Sequence, residues 1–194
     1  MEEIENIHFL EKQNFSFVEF QLREVLRLKE SYKPVTFYPY KLELITSPDD
    51  LNRVLEIAAT TFKHDRVSAD PLLLTTKSGE RYQKYVRKSH ETQDEFVYKL
   101  INTNTNEILG FKTHKIVSEN EALMFLGGIL NQYKKTPLPV ISNYLELNEL
   151  FAKGIRKITS HISGSNYGVI NLELKEFGYK VTQAFVILRK IYGN

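Results

Sequence analysis

The sequence predicts an α+β fold, a central sheet flanked by helices, and three observations carry that prediction. Residues 96–130 read as three strands joined by two short polar turns, an antiparallel meander. Helical patterns precede it, one of them opened by the start signal Ser47-Pro48-Asp49-Asp50. After it, helix, strand, helix and strand patterns follow in turn, which packs helices against the same sheet.

At the N-terminus, Phe15 to Phe20 alternate as a short strand, while Leu22, Val25, Leu26 and Leu28 fit either helix or extended chain. Lys33-Pro34 interrupts, because proline disfavours helical geometry in the residue before it. Residues 1–34 are therefore expected as a short N-terminal element and residues 35–194 as the main domain. Tyr40, Leu42 and Leu44 alternate with Lys41 and Glu43 as a strand. Ser47 suits an N-cap and Pro48 the first helical position, with Leu51, Val54, Leu55, Ala58 and Phe62 as the apolar stripe. Asp70-Pro71 signals a turn. Arg81 to Ser89 reads as a helix with Tyr82, Tyr85 and Val86 on one face.

The meander strands are Phe96–Ile101, Glu107–Val117 and Ala122–Leu130. The Asn-Thr repeat 102–106 and Ser118-Glu119-Asn120 make the turns, since these side chains bond their own backbone. Thr136-Pro137 opens a helix with Tyr144, Leu147, Leu150, Phe151 and Ile155 at helical spacing. Strand Lys157–Ile162, loop 163–166 and a helix from Tyr167 to Phe177 follow. Gly178 ends that helix, and Lys180–Tyr192 holds one or two last strands.

The chain has 194 residues, 26 basic and 24 acidic, for a formal charge of +2. Without a long basic block, this near-neutral balance argues against nucleic-acid binding. The absence of cysteine excludes thiol catalysis, disulfides and cysteine-based zinc sites, and no metal site is expected. The longest apolar runs, 122–130 and 184–188, fall short of the roughly 20 residues of a membrane span. The acidic start has no apolar core of a signal peptide, so a cytoplasmic protein is expected.

Three stretches carry a family resemblance: Ile108-Leu109-Gly110-Phe111 within the meander, the strand-loop-helix Leu126–Ile155, and Ile158–Tyr179 with its ending Glu176-Phe177-Gly178-Tyr179. With these, residues 40–192 resemble the GNAT family of acyl-CoA-dependent N-acyltransferases. The string Phe62 to Pro71, with Tyr82, Tyr85, Val86 and Ser89, is similar to the sugar-nucleotide subgroup that acetylates dTDP-fucosamine.

The resemblance implies a GNAT-like mixed sheet, in which the antiparallel meander adjoins a parallel strand pair. It also implies acetyl-CoA as cosubstrate and a primary amine as acceptor, that of a nucleotide-linked amino sugar in the subgroup. The pantetheine arm would enter where strand 126–130 splays from strand 158–162, against Gly128, Ile129 and Leu130. Alternatively, Gly127 and Gly128 only relieve packing or twist. The pyrophosphate would sit at the next helix start, at Lys134, Lys135, Thr136 and Leu138. Here the glycines of the family's turn are replaced by Pro137 and Pro139, which have no amide hydrogen, so a plain basic loop is the alternative.

Asn166 would bond the pantetheine amide, cap the helix, or do both. The family's proton-donating tyrosine is matched by Leu174, which leaves Tyr167, two turns earlier, as candidate donor beside water, or as an ordinary packed tyrosine. On the acceptor side His64 would relay a proton, Arg66 grip a phosphate and Tyr82 stack. A solvated loop and core packing are the alternatives. His114 is either a base in the cleft or a surface residue.

The function expected is N-acyl transfer from acetyl-CoA to a small-molecule amine. A GNAT-like ligand-binding module without turnover is the alternative, and a structural protein without a coenzyme site is a third. An edge strand near the C-terminus could pair two copies into a homodimer.

Overall fold

The computed structural model describes residues 2–32, 37–62, 70, 72 and 76–192. Helix α1 (Glu2–Lys12) leads into strand β1 (Ser16–Arg27). Then come β2 (Tyr40–Leu44), α2 (Pro48–Thr61), α3 (Thr76–Glu91), β3 (Glu95–Asn102), β4 (Glu107–Ser118) and β5 (Glu121–Ile129). A short turn of 3₁₀ helix at Asn131–Tyr133 precedes α4 (Leu138–Ala152), β6 (Lys157–Ser163), α5 (Tyr167–Leu172) and β7 (Lys180–Arg189). All strands join one 7-stranded sheet in the order β2-β3-β4-β5-β6-β1-β7. Every neighbouring pair is antiparallel except β5 and β6, which are parallel. This is the α+β fold that the sequence predicts, with the mixed sheet that the family resemblance implies.

The N-terminal segment differs most from its sequence pattern. Instead of a short strand, it forms the long β1, threaded between β6 and β7. Val18 is an extra residue of β1 against β7, between Phe17↔Leu188 and Glu19↔Ile187, and makes its alternation hard to read, while at Arg23/Glu24 the extra residue is Thr182 of β7. A bulge slips the two-residue period of the strand that carries it by one position.

Helices α2 and α3 cover one face of the β2–β5 half. Val54, Leu55 and Ala58 pack there with Ile45, Val86, Val97, Ile101 and Phe111. Ser47 caps α2 by accepting the Asp50 amide at 3.1 Å. The opposite face is covered by α4 and the segment after β6, where Leu147 and Leu150 meet Leu26, Ile158, Phe177 and Tyr179. Leu147 and Leu150 are 1% and 0% exposed, and each such burial stabilises by about 2 kcal/mol.

The last helix begins as α5 and then widens into a π-helical turn, Glu173–Phe177. Gly178 closes it in left-handed geometry at φ 76°, where a Cβ would be strained. One final strand follows, not two. No helix among the described residues is long and apolar enough to cross a membrane.

Candidate active site

The parallel pair β5–β6 holds only from Glu121↔Lys157 to Met124↔Ser160, and then the strands part. The cause lies on the β4 side. The β4–β5 register steps from Thr113↔Leu126 to His114↔Met124, so Phe125 is an extra residue in a bulge. The buried Thr113 hydroxyl accepts the Leu126 amide at 3.0 Å and donates to the Leu126 carbonyl at 3.2 Å, which pins the bulge. A bulge bends its strand. β6 meanwhile stays on β1 out to Gln21↔Ser163. The result is a wedge whose walls are Phe125–Ile129 and His161–Ser163. Gly127 lies along it, with the Lys112 side chain as its nearest neighbour: a Cβ there would sit 3.0 Å from Lys112 Cδ.

Beneath the parting, on the helix-covered face, lies a buried charged cluster. Lys112 of β4 donates to Asn143 and pairs with Glu146 of α4 at 3.2 Å. His114 Nδ1 reaches the other Glu146 oxygen at 3.4 Å. Burial alone would push the Glu146 carboxyl up, but Lys112 and His114 overcome it and hold it below its usual range. His114 is 1% exposed, so the surface alternative for it is set aside by its burial.

At the last paired residue, the Ser160 hydroxyl donates to Glu173 at 3.1 Å. Glu173 projects from the π-helical turn toward Glu24 of β1, which is itself fully buried. Burial, then the neighbouring Glu24 charge, pushes the Glu173 carboxyl up to about 8. At neutral pH it therefore carries a proton, which Glu24 helps to hold. Burial also raises Glu24.

Successive strand residues point to opposite faces. Ser160 turns to Glu173, so His161 turns to the other face, where no described helix covers β6, β1 and β7. His161 opposes Arg23 directly in the β1–β6 register, and its ring centroid is 6.1 Å from that of Phe185 on β7. Desolvation, then the Arg23 charge, lowers its pKa, so its imidazole is neutral at physiological pH. The parting is thus flanked by a protonated carboxyl on one face and a neutral imidazole on the other.

The residues expected from sequence are distributed as follows. Gly128 faces α2: a Cβ there would sit 2.6 Å from Phe111 Cε1 and 3.0 Å from Thr61 Cγ2, a close approach that accounts for the glycine. Ile129 packs with Leu100, Leu109 and the buried Leu138. The Leu130 amide donates to the Leu109 carbonyl. Lys134 Nζ donates to the Thr61 carbonyl at the end of α2, at 2.7 Å. Thr136 works as a cap, accepting the Leu138 amide at 3.2 Å and donating to the Tyr133 carbonyl at 2.7 Å. Lys135 is exposed.

Asn166 caps α5 through the Val169 amide at 3.4 Å. Tyr167, 70% exposed, opens that helix just beyond the splayed end of β6. Tyr82 stacks on Phe62 with centroids 3.9 Å apart. His64 and Arg66 lie outside the described residues.

Beyond Met124 and Ser160 the two strand edges are released from each other, which is the opening that the expected pantetheine arm requires. A diphosphate fits the following turn poorly. Pro137 and Pro139 carry no N–H, the Leu138 amide is engaged, and Lys134 is drawn to α2. Sequence reading missed His161, Arg23, Glu24 and Glu173. Glu173 immediately precedes Leu174, the position matched to the family's tyrosine, and the π-helical turn brings it under the wedge.

No family model and no curated protein matches the sequence. The fold, however, is that of solved N-acetyltransferases. The chain resembles a GCN5-related N-acetyltransferase from Sphaerobacter thermophilus with TM-score 0.66 and 12% identity, over 95% of this chain and 55% of that one. A tandem GNAT protein of the clavulanic acid biosynthesis pathway gives TM-score 0.64 and 14% identity, over 94% and 57%. The glucosamine N-acetyltransferase region of a fungal multi-domain β-N-acetylglucosaminidase gives TM-score 0.68 and 11% identity, over 97% and 23%. The chain spans little more than half the length of the first two.

Proposed function

We propose that the protein is an N-acyltransferase that moves an acetyl group from acetyl-CoA to a primary amine. The observation that carries this reading is the wedge at Met124/Ser160, with His161 and Glu173 on its two faces. A thioester arm lying in the wedge exposes its carbonyl to the open face and its sulfur to the buried one. The amine nitrogen attacks the carbonyl carbon and passes a proton to the neutral His161 imidazole. The C–S bond then breaks, and Glu173 gives its proton to the departing thiolate. Glu24 acts through Glu173 as a positioning residue.

Tyr167, at the mouth, is the second candidate donor. Asn166 is proposed to bond the arm at the same end, and Lys135 to meet its phosphates. The segment with His64 and Arg66 runs between Phe62 and Asp70 and is proposed to contact the acceptor. Amino sugars, free or nucleotide-linked, are the first acceptors to test, since the fungal region of like fold is named for glucosamine.

The test is thiol release from acetyl-CoA across a panel of primary amines. Glu173→Gln is expected to lower kcat by about 100-fold or more, the usual contribution of a general acid. If Tyr167→Phe does so instead, the donor is Tyr167. The glycine-free phosphate turn favours a second reading, a ligand-binding module without turnover. Saturable acetyl-CoA binding with no thiol release for any amine would establish it over the first.

A further inference from the structure

The open face of the β6–β1–β7 half holds a cation that the acyl-transfer chemistry above does not use. Arg23 of β1 lies directly opposite His161 on one side and Gln183 on the other. Its Nη1 donates to the neutral Gln183 amide at 3.0 Å. Its Nε is shut off from solvent and has no acceptor among the described residues. No described carboxylate pairs with it. Glu19, on the same strand, is taken by the Ser163 hydroxyl at 2.6 Å. Glu24, its chain neighbour, opposes Ser160 and so points to the buried face.

An arginine fork held beside a reactive group, with no counter-ion among the described residues, is suited to bind a planar or tetrahedral oxyanion in two-point fashion. Direct cross-strand partners hold their side chains about 5 Å apart. Phe185, beside His161, supplies an apolar wall between strands.

We propose that Arg23 is the acceptor-recognition residue, and that the acceptor is an amine bearing a carboxylate or phosphate a few bonds from its nitrogen. This rests on the acyl-transfer reading: the anion docks on Arg23, and the amine is thereby aimed at His161 and the parting. The shared chemistry is the oxyanion, and paired acceptors distinguish its source.

The experiment compares β-alanine with 3-aminopropanol, and glucosamine 6-phosphate with glucosamine, by thiol release and by calorimetric titration. The anionic member of at least one pair is expected to win by about 10- to 100-fold in kcat/KM, the range of a charge-assisted hydrogen bond. Whichever pair shows the preference identifies carboxylate or phosphate. R23Q is expected to shrink the preference to within about threefold, with partial recovery in R23K, since a hydrogen bond to a charged group is what is lost. An unchanged thermal midpoint shows that R23Q folds.

Equal use of anionic and neutral amines by the wild type overturns the inference while acyl transfer stands. If no amine is acylated, the transferase reading fails. A calorimetric preference for the anionic member that R23Q abolishes would still uphold the Arg23 site, and no such preference would sink it.

Discussion

The two halves of the sheet are built differently. In the β2–β5 half each strand pairs with its neighbour in sequence, and both faces are covered by helices. In the β6–β1–β7 half the partners are far apart in the chain, such as Arg23↔His161 and Gln21↔Phe185, and one face is covered by no described helix. The first half is a fixed wall. The second carries the groups on which the proposed chemistry depends, on an edge that the first half leaves behind. Bulging one strand of the meander is enough to separate them, because β6 has β1 to pair with instead.

The largest expected effect tests whether the open half does the chemistry. His161→Gln should lower kcat/KM by about 10²- to 10⁴-fold, the worth of a general base. Its urea midpoint should stay at the wild-type value, since this side chain is not part of a core. Full activity in this variant would remove the functional contrast between the halves.

The buried cluster ties α4 to β4, and Glu146→Leu tests how tightly. It strips Lys112 of its carboxylate in a buried setting, so unfolding in urea should show a loss of about 3–5 kcal/mol. A change below 1 kcal/mol would mean that water reaches the cluster.

Glu173 ties stability to pH with a definite sign. Its folded-state pKa is raised to about 8 from 4.5, so the folded protein keeps a proton that the unfolded chain has released. Its contribution is complete below the unfolded pKa and is lost as pH rises toward the folded one. The slope is at most about 1.4 kcal/mol per pH unit in that window. Measured from pH 5 to 8, the stability of wild type relative to Glu173→Gln should fall as pH rises. A flat difference would place Glu173 in water.

The covered half is sensitive to volume. Gly128→Ala would bring a Cβ to 2.6 Å from Phe111 Cε1, and Phe111 is 1% exposed and cannot yield. About 1–3 kcal/mol of destabilisation is expected from such overpacking, read by urea unfolding. The smallest effect is local: Ser47→Ala removes the α2 cap and should cost about 1 kcal/mol.

Much of the covered half was legible in the sequence. The meander, with its Asn-Thr turn and its return at Ser118–Asn120, shows by alternation because one strand follows the next. The Ser47 cap and the Gly178 stop are local signals as well. The open half was not legible in the same way. β1 carries a bulge at Val18, so its pattern slips, and its partners lie at the far end of the chain. The π-helical turn, which brings Glu173 under the wedge beside the position expected to hold a tyrosine, has no mark in the sequence. Nor did the phosphate-turn residues reveal their contacts. Thr136 and Lys134 read as anion ligands by type, yet one caps a helix and the other closes the end of α2.

By itself the sequence determined the strands of the meander, the helix opened at Ser47 and the stop at Gly178, because those features depend on neighbours a few residues apart. The parallel pair beside the meander came only from the family resemblance, and helix α1 has no counterpart in the sequence reading. Only the tertiary structure decided that β1 lies between β6 and β7, that β5 leaves β6 at Met124, and that an imidazole and a protonated carboxyl face each other across the sheet. Those depend on bulges, on strand partners distant in the chain and on desolvation, none of which a residue's own type or its immediate neighbours specify.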